Sequence, residues 1–255
     1  MRDNPIVIYT DHSINKTICY YFAKGSNSLM CHVNNFKEFD KTIATYGYLR
    51  GTGEALKKVK NFFYIDHGYF KQSKRKFIKN KVHKIDLDGY FRIVFNDYWN
   101  DGSKQMPSDR FNKLSLSIKD IKKKGEYIIL SEPVPEAIQH YNLGNWTEKT
   151  INNLKKFTDR KIIIHSRRSE IKLDELLENA WAFVSDHSSA GFKAMMEGVP
   201  AYFTNSTLKR IASIDNIEKH EINYSTFNNL AYEQWTIKEI QNGEAWNYLS
   251  KRSND

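Results

Sequence analysis

Asp186, His187, Ser188 and Ser189 stand together between an apolar run, "WAFVS", and a short helical pattern, "AGFKAMMEG". A strand that ends in small polar residues before a helix exposes backbone N–H groups at the positive end of that helix, a natural seat for an anion such as a diphosphate. Ser188 and Ser189 add hydroxyl donors, although Asp186 and Ser188 can equally serve as plain helix caps. Glu197 closes the same helix, where its charge opposes the dipole, and contact with a ribose diol would explain it. One strand earlier, "KIIIHSRR" sends His165, Arg167 and Arg168 off the end of an apolar run. Guanidinium groups grip oxyanions bidentately, so two of them suit a diphosphate, while exposed arginines on a turn are the plainer reading. The chain has neither GxGxxG nor GxxxxGK[ST], which argues against a dehydrogenase and a P-loop nucleotidase.

The elements that must position these residues follow from periodicity. "EYIILSE" (126–132), "KIIIHS" (161–166), "WAFVS" (181–185) and "AYF" (201–203) read as strands, the first three as buried ones. Helical patterns at 146–159, 173–180 and 189–198 alternate with them. That order means βαβ units and a parallel sheet. Two closing helices are expected at 225–234 and 236–246, the latter with a Thr236/Glu239 capping box. The first half is looser: strands at 5–10, 62–66 and 89–96, a helix after "GTGEAL", and a polar loop at 96–109. A seam near 105–125 divides the chain into an amino-terminal lobe, 1–115, and a carboxyl-terminal lobe with the terminal helices, 116–255.

Composition bounds the rest. Lys and Arg number 39 against 30 Asp and Glu, a net charge of +9. The excess sits in "KKVK" (57–60), "KQSKRKFIKNKVHK" (71–84) and "KDIKKK" (119–124). The middle run has no acidic residue and is the best candidate for a polyanion contact through Lys71, Lys74, Arg75 and Lys76; a solvated face is the alternative. No apolar run is long enough for a membrane span, and the first residues do not read as a signal peptide. Two cysteines form neither a disulfide framework nor a common zinc pattern, which points to a reduced, cytoplasmic protein.

The strand, Ser-Ser loop, short helix and "EGVP" resemble the donor-binding half of GT-B-type glycosyltransferases. The ordered set "YGYLRGTG", "YIDHGYF", "GYFRIVFNDYW", "FTDRKIIIHSRR", "VSDHSSAGFKAMMEGVP" and "NLAYEQWTIKEIQNGEAW" is similar to a family of small phage-encoded glycosyltransferases. The resemblance implies two Rossmann-like lobes with parallel sheets and a cleft between them. It implies a nucleotide-sugar co-substrate such as UDP-glucose, no tightly bound cofactor, and a divalent metal compatible but not required; the oligomeric state is open, with a monomer favoured. By analogy with phage enzymes the acceptor is a hydroxymethylated pyrimidine, such as 5-hydroxymethylcytosine, in double-stranded phage DNA inside the host cytoplasm. A saccharide acceptor and a non-catalytic DNA-binding protein are the alternatives. "HSRR" stands where the larger enzymes have an Arg followed by a Lys.

Such a transfer needs a base to take the acceptor hydroxyl's proton. "YIDHGYF" offers Asp66 as base with His67 orienting it or touching phosphate, or the two roles reversed, or only a turn after a strand. Asp11 is a further candidate. In "YGYLRGTG", Arg50 and Gly51 enter a helix and point backbone N–H groups and a guanidinium at phosphate or DNA, unless the loop is merely a flexible turn. Tyr98 and Trp99 in "DYWNDG" can stack on a base or sugar, or pack in a core. Trp181, Trp235 and Trp246 are expected in the core of the carboxyl-terminal lobe.

Overall fold

The computed structural model describes residues 2–78 and 81–251, with the side chains of 75–85 outside that description. The chain runs β1 (Ile6–Tyr9), α1 (Ser13–Ser26), β2 (Met30–His32), β3 (Ile43–Tyr46), α2 (Thr52–Lys58) and β4 (Phe62–His67). A hairpin, β5 (Arg75–Ile78) and β6 (Lys81–Ile85), precedes β7 (Tyr90–Phe95) and α3 (Asp109–Lys113). There follow β8 (Tyr127–Ser131), α4 (Pro135–His140), α5 (Trp146–Leu154), β9 (Lys161–His165), α6 (Leu173–Leu177), β10 (Ala180–Ser185), α7 (Ala190–Met196) and β11 (Ala201–Phe203). The last elements are α8 (Ser225–Ala231), β12 (Gln234–Thr236), α9 (Ile237–Gln241) and α10 (Glu244–Lys251).

Two α/β units result, Met1–Tyr98 with Ala231–Asp255, and Trp99–Leu230. In the first, β2, β1, β3 and β4 lie side by side and parallel, and β7 and β12 extend the sheet antiparallel. Helix α1 covers one face because Ile14, Ile18, Cys19 and Phe22 recur on a single helical stripe, all buried. Asn27 ends the helix in the left-handed conformation, with its N–H returned to the last turn.

The seam falls at Tyr98/Trp99, earlier than the expected 115/116; α8, the first of the two expected closing helices, stays with the second unit, and α9 and α10 belong to the first. Trp246 packs edge-on against Phe22 at 6.1 Å and Phe63 at 5.3 Å. The apolar faces of α9 and α10 complete the stripe on α1, a partner more than 200 residues away that linear periodicity cannot reveal. Trp235 joins the same cluster, so two of the three tryptophans expected in the carboxyl-terminal core lie elsewhere. Only Trp181 stays, stacked on His220 at 3.6 Å.

Gly25 makes that docking close: a Cβ added there would meet the Ile240 carbonyl oxygen at 1.8 Å. Gly25→Ala should push α9 away and destabilise the first unit by about 2 kcal/mol or more. Thermal melts followed by circular dichroism read this directly; an unchanged transition would contradict the tight seating of α9 on α1.

The second unit has a four-stranded parallel sheet in the order β11-β10-β8-β9. Ile128, Leu130, Ala182 and Val184 are fully buried on one face, with Trp146 and Leu154 of α5 against them. Strand β9 has a neighbour on one side only and is half exposed, Ile164 being 48% accessible, so the buried strand expected there is an edge. Each unit thus places its successive parallel strands in the order second, first, third, fourth. That order reverses direction between the first and third strands, so crevices open beyond β1/β3 and β8/β10, where loops diverge to opposite faces. Among the described residues no helix is long and apolar enough to cross a membrane.

Candidate functional site

The 186–189 loop leaves β10 beside the β8/β10 reversal point. Asp186 is buried, 5% exposed, and fully used from below. Its Oδ1 accepts the Thr204 hydroxyl at 2.8 Å, and the Thr204 oxygen accepts the Trp146 indole N–H at 2.7 Å. Its Oδ2 lies 2.5 Å from Nδ1 of His187. A carboxylate only accepts, so Nδ1 carries the proton and Nε2 is left without a hydrogen bond among the described residues. Tyr141 flanks the imidazole at 4.4 Å between ring centroids, and Trp99 lies at 6.0 Å. A chain of four side chains, Trp146, Thr204, Asp186 and His187, therefore fixes one ring nitrogen for a ligand.

The serines divide the work. Ser188 Oγ accepts the Ala190 N–H at 3.2 Å, while the Ser188 N–H donates to Ser185 Oγ. Ser188 thus performs the capping role. Ser189 occupies the cap position with no side-chain cap bond, leaving its hydroxyl for a ligand. Helix α7 has only seven residues, too short for much dipole, so the held imidazole is the stronger feature. Glu197, at the far end of α7, pairs with Lys119 at 2.5 Å. The hydrogen bond and charge of Glu197 raise the Lys119 ammonium above the ordinary lysine value. That pair explains the placement of Glu197 without a ribose, and a ribose would have to share the carboxylate.

His165, Arg167 and Arg168 are not in the neighbouring unit of the sheet. His165 and Ser185 both pair with Ser131 from opposite sides, so β8 separates the two loops. Two strand spacings put them about 10 Å apart, a gap that a long arginine side chain and a diphosphate together can bridge. Sequence order hid this because the chain crosses over β8 between β9 and β10. The turn is set by Ser166, whose Oγ accepts the Arg168 N–H and whose own N–H donates to Ser169 Oγ. Arg167 and Arg168 are exposed, with no carboxylate partner among the described residues.

In the first unit Asp66 is committed to structure, against its expected role as base. Oδ2 accepts the Tyr64 hydroxyl at 2.8 Å and Arg92 at 3.1 Å, and Oδ1 accepts the His67 N–H at 2.8 Å. Arg92 is 3% exposed and also donates to the carbonyls of His67 and Tyr98. Burial pushes the Asp66 carboxyl up, but Arg92, the His67 ring and N–H and the Tyr64 hydroxyl outweigh it and hold it below the usual range. A carboxylate so stabilised is a weak proton acceptor. His67 has Ser73 Oγ at 3.0 Å from Nδ1 and the Tyr46 hydroxyl at 3.2 Å from Nε2, so it too is engaged. The sequence signal for Arg92 was a lone charge inside the apolar run "YFRIVF".

Asp11 differs. It is 92% exposed just beyond β1, and its Oδ2 lies 3.4 Å from His32 Nε2 at the end of β2. His32 Nδ1 accepts the Asn34 N–H, so Nε2 is the protonated nitrogen facing Asp11. The sequence put Asp11 at a strand end; nothing in it marked His32.

Arg50 is exposed with φ near 60°, and Gly51 starts α2 with φ near 91°. Thr52 closes that loop by donating to the Gly47 and Leu49 carbonyls, which makes it a defined turn. Tyr98 packs on Tyr64 at 4.7 Å, and burial together with Asp97 and Glu54 pushes its phenol up to about 12. Trp99 is buried in the second unit beside Phe192. Both aromatics expected to stack on a base are packed. Of the basic runs, Lys57 pairs with Glu54, and Lys122 donates to the Leu177 and Glu178 carbonyls. Lys71 and Lys74 are exposed, while the side chains of Arg75 and Lys76 lie outside the described residues. Among the described residues no group of three or more His, Cys, Asp or Glu is placed to hold a metal ion.

No family model matches the chain, and no curated protein does. Two solved structures align over most of its length. Thermosulfurimonas dismutans KpsC, beta Kdo 2,4 transferase, is 10% identical, with 92% of this chain and 93% of that chain covered at a TM-score of 0.48. Thermosulfurimonas dismutans KpsC, beta Kdo 2,7 transferase, is 8% identical, with 96% and 100% covered at a TM-score of 0.47.

Proposed function

We propose that the protein is a glycosyltransferase whose nucleotide-sugar donor binds at the β8/β10 reversal point. The observation that carries this reading is the buried Asp186, which holds His187 with one nitrogen spent and the other offered, beside the uncommitted hydroxyl of Ser189. In the transfer, an acceptor hydroxyl attacks the anomeric carbon and loses its proton to a base. The bond from that carbon to phosphate oxygen breaks, and the electron pair leaves with the nucleoside diphosphate. Ser189 Oγ and the guanidinium groups of Arg167 and Arg168 meet the charge that develops on the leaving phosphate, and His187 Nε2, the unprotonated nitrogen, accepts a hydroxyl proton of the bound donor.

With hydroxymethylated pyrimidine in duplex DNA as acceptor, the acid-free stretch 71–84, of which Lys71 and Lys74 are exposed, would meet the phosphates; with a saccharide acceptor that stretch plays no part. Incubating the protein with UDP-glucose and other nucleotide sugars, together with 5-hydroxymethylcytosine DNA or oligosaccharides, tests the reading by mass. A hexose-sized increment on either acceptor with release of nucleoside diphosphate supports it. Donor left intact with every acceptor overturns it. DNA as acceptor further requires a steep fall of affinity with salt.

A further inference from the structure

A groove of about 550 Å³ runs along the first unit between α1 and the edge strand β2, lined by Tyr9, Ser13, Lys16, Thr17, Tyr20, Tyr21 and Met30. Ser13, Lys16, Thr17 and Tyr20 recur at three- and four-residue spacing, so one face of α1 presents them together. Tyr20 is 54% exposed although its ring is large and apolar. Lys16 stands 5.7 Å from the centre of the Tyr9 ring and has no carboxylate partner among the described residues. Tyr9 packs edge-on against His32 at 5.3 Å, and His32 in turn pairs with Asp11.

We infer that this groove binds an acidic saccharide, which under the glycosyl-transfer reading is the acceptor; the binding itself does not depend on that reading. Sugar rings show flat C–H faces edged by hydroxyls, and tyrosine rings interleaved with the Ser13 and Thr17 hydroxyls match that alternation. A hydrophobic peptide or acyl chain would leave those polar groups unpaired. Lys16 supplies a positive point for a carboxylate on the sugar.

The test uses the full chain against an array of uronate- and sialate-bearing oligosaccharides beside neutral gluco- and galacto-oligosaccharides, with UDP binding measured separately. Acidic oligosaccharides should be retained in preference to neutral ones. Lys16→Met should weaken acidic binding about tenfold and spare neutral binding. Tyr20→Ala should weaken both, and neither variant should change UDP affinity. Both positions are on the surface, so the variants fold. Silence across the array while UDP still binds overturns the groove and leaves the donor reading standing; saccharide binding without UDP binding does the reverse. Retention unchanged by both variants, or duplex DNA whose affinity falls in Lys16→Met, also overturns the proposal.

Discussion

His187→Asn will lose about twofold to tenfold in affinity for UDP while its melting temperature stays close to that of the parent. The asparagine amide falls where Nδ1 now sits, so it still donates to Asp186 and the buried carboxylate keeps its partner. What disappears is Nε2. Nε2 only accepts, so the bond lost is one from a neutral hydroxyl of UDP, worth about 0.5–1.5 kcal/mol, which converts to the stated range. His187→Gln makes the opposite exchange, reaching the Nε2 position but abandoning Asp186. A carboxylate only 5% exposed then loses one donor, and the cost should appear in stability. Calorimetric titration with UDP and melting curves on both variants separate the effects. Equal UDP affinity in parent and asparagine variant would remove His187 from the donor site.

The second large effect concerns Asp66, where the outcome is structural. Asp66→Asn removes a carboxylate that pairs with the Arg92 guanidinium, 3% exposed. Breaking a buried pair from one side costs about 3 kcal/mol or more, a fall of about 6–12 °C in the melting of a chain this size. The pH dependence follows from the direction of the shift. The folded carboxyl lies below its unfolded value, so its contribution is complete above the unfolded carboxylate range near pH 4 and is lost as the pH falls through the lower folded value. The stability gap between parent and variant should hold from neutral pH down to about 4 and then narrow. If Asp66 were the base instead, the variant would melt normally and fail only in turnover.

The carboxyl-terminal half was legible because its signals are local. Apolar runs of four to six residues alternate with short helices, and that rhythm dictates a parallel sheet; Thr236 and Glu239 announce their capping box, which is present. The loop at 186–189 could be read because four polar residues interrupt an apolar strand and helix. What stayed hidden depends on neighbours distant in the chain. Strands β2 and β3, of three and four residues, carry too short a pattern to stand out. Thr204 looks like any residue after a strand until it is seen donating to Asp186 from 18 positions away. The crossover that puts β8 between β9 and β10 leaves no mark on composition, so the arginine turn and the serine loop read as neighbours. Asp66 reads as a candidate base in the sequence because its partner, Arg92, lies 26 residues on in an antiparallel strand.

The most direct test titrates isotope-labelled protein with UDP and follows the backbone amides. Saturable shifts centred on residues 186–189, with smaller ones at 166–168, are predicted, and they should fade in His187→Asn. Saturation with those amides unmoved, or shifts gathered in another part of the chain, would contradict a diphosphate seat at the β8/β10 reversal.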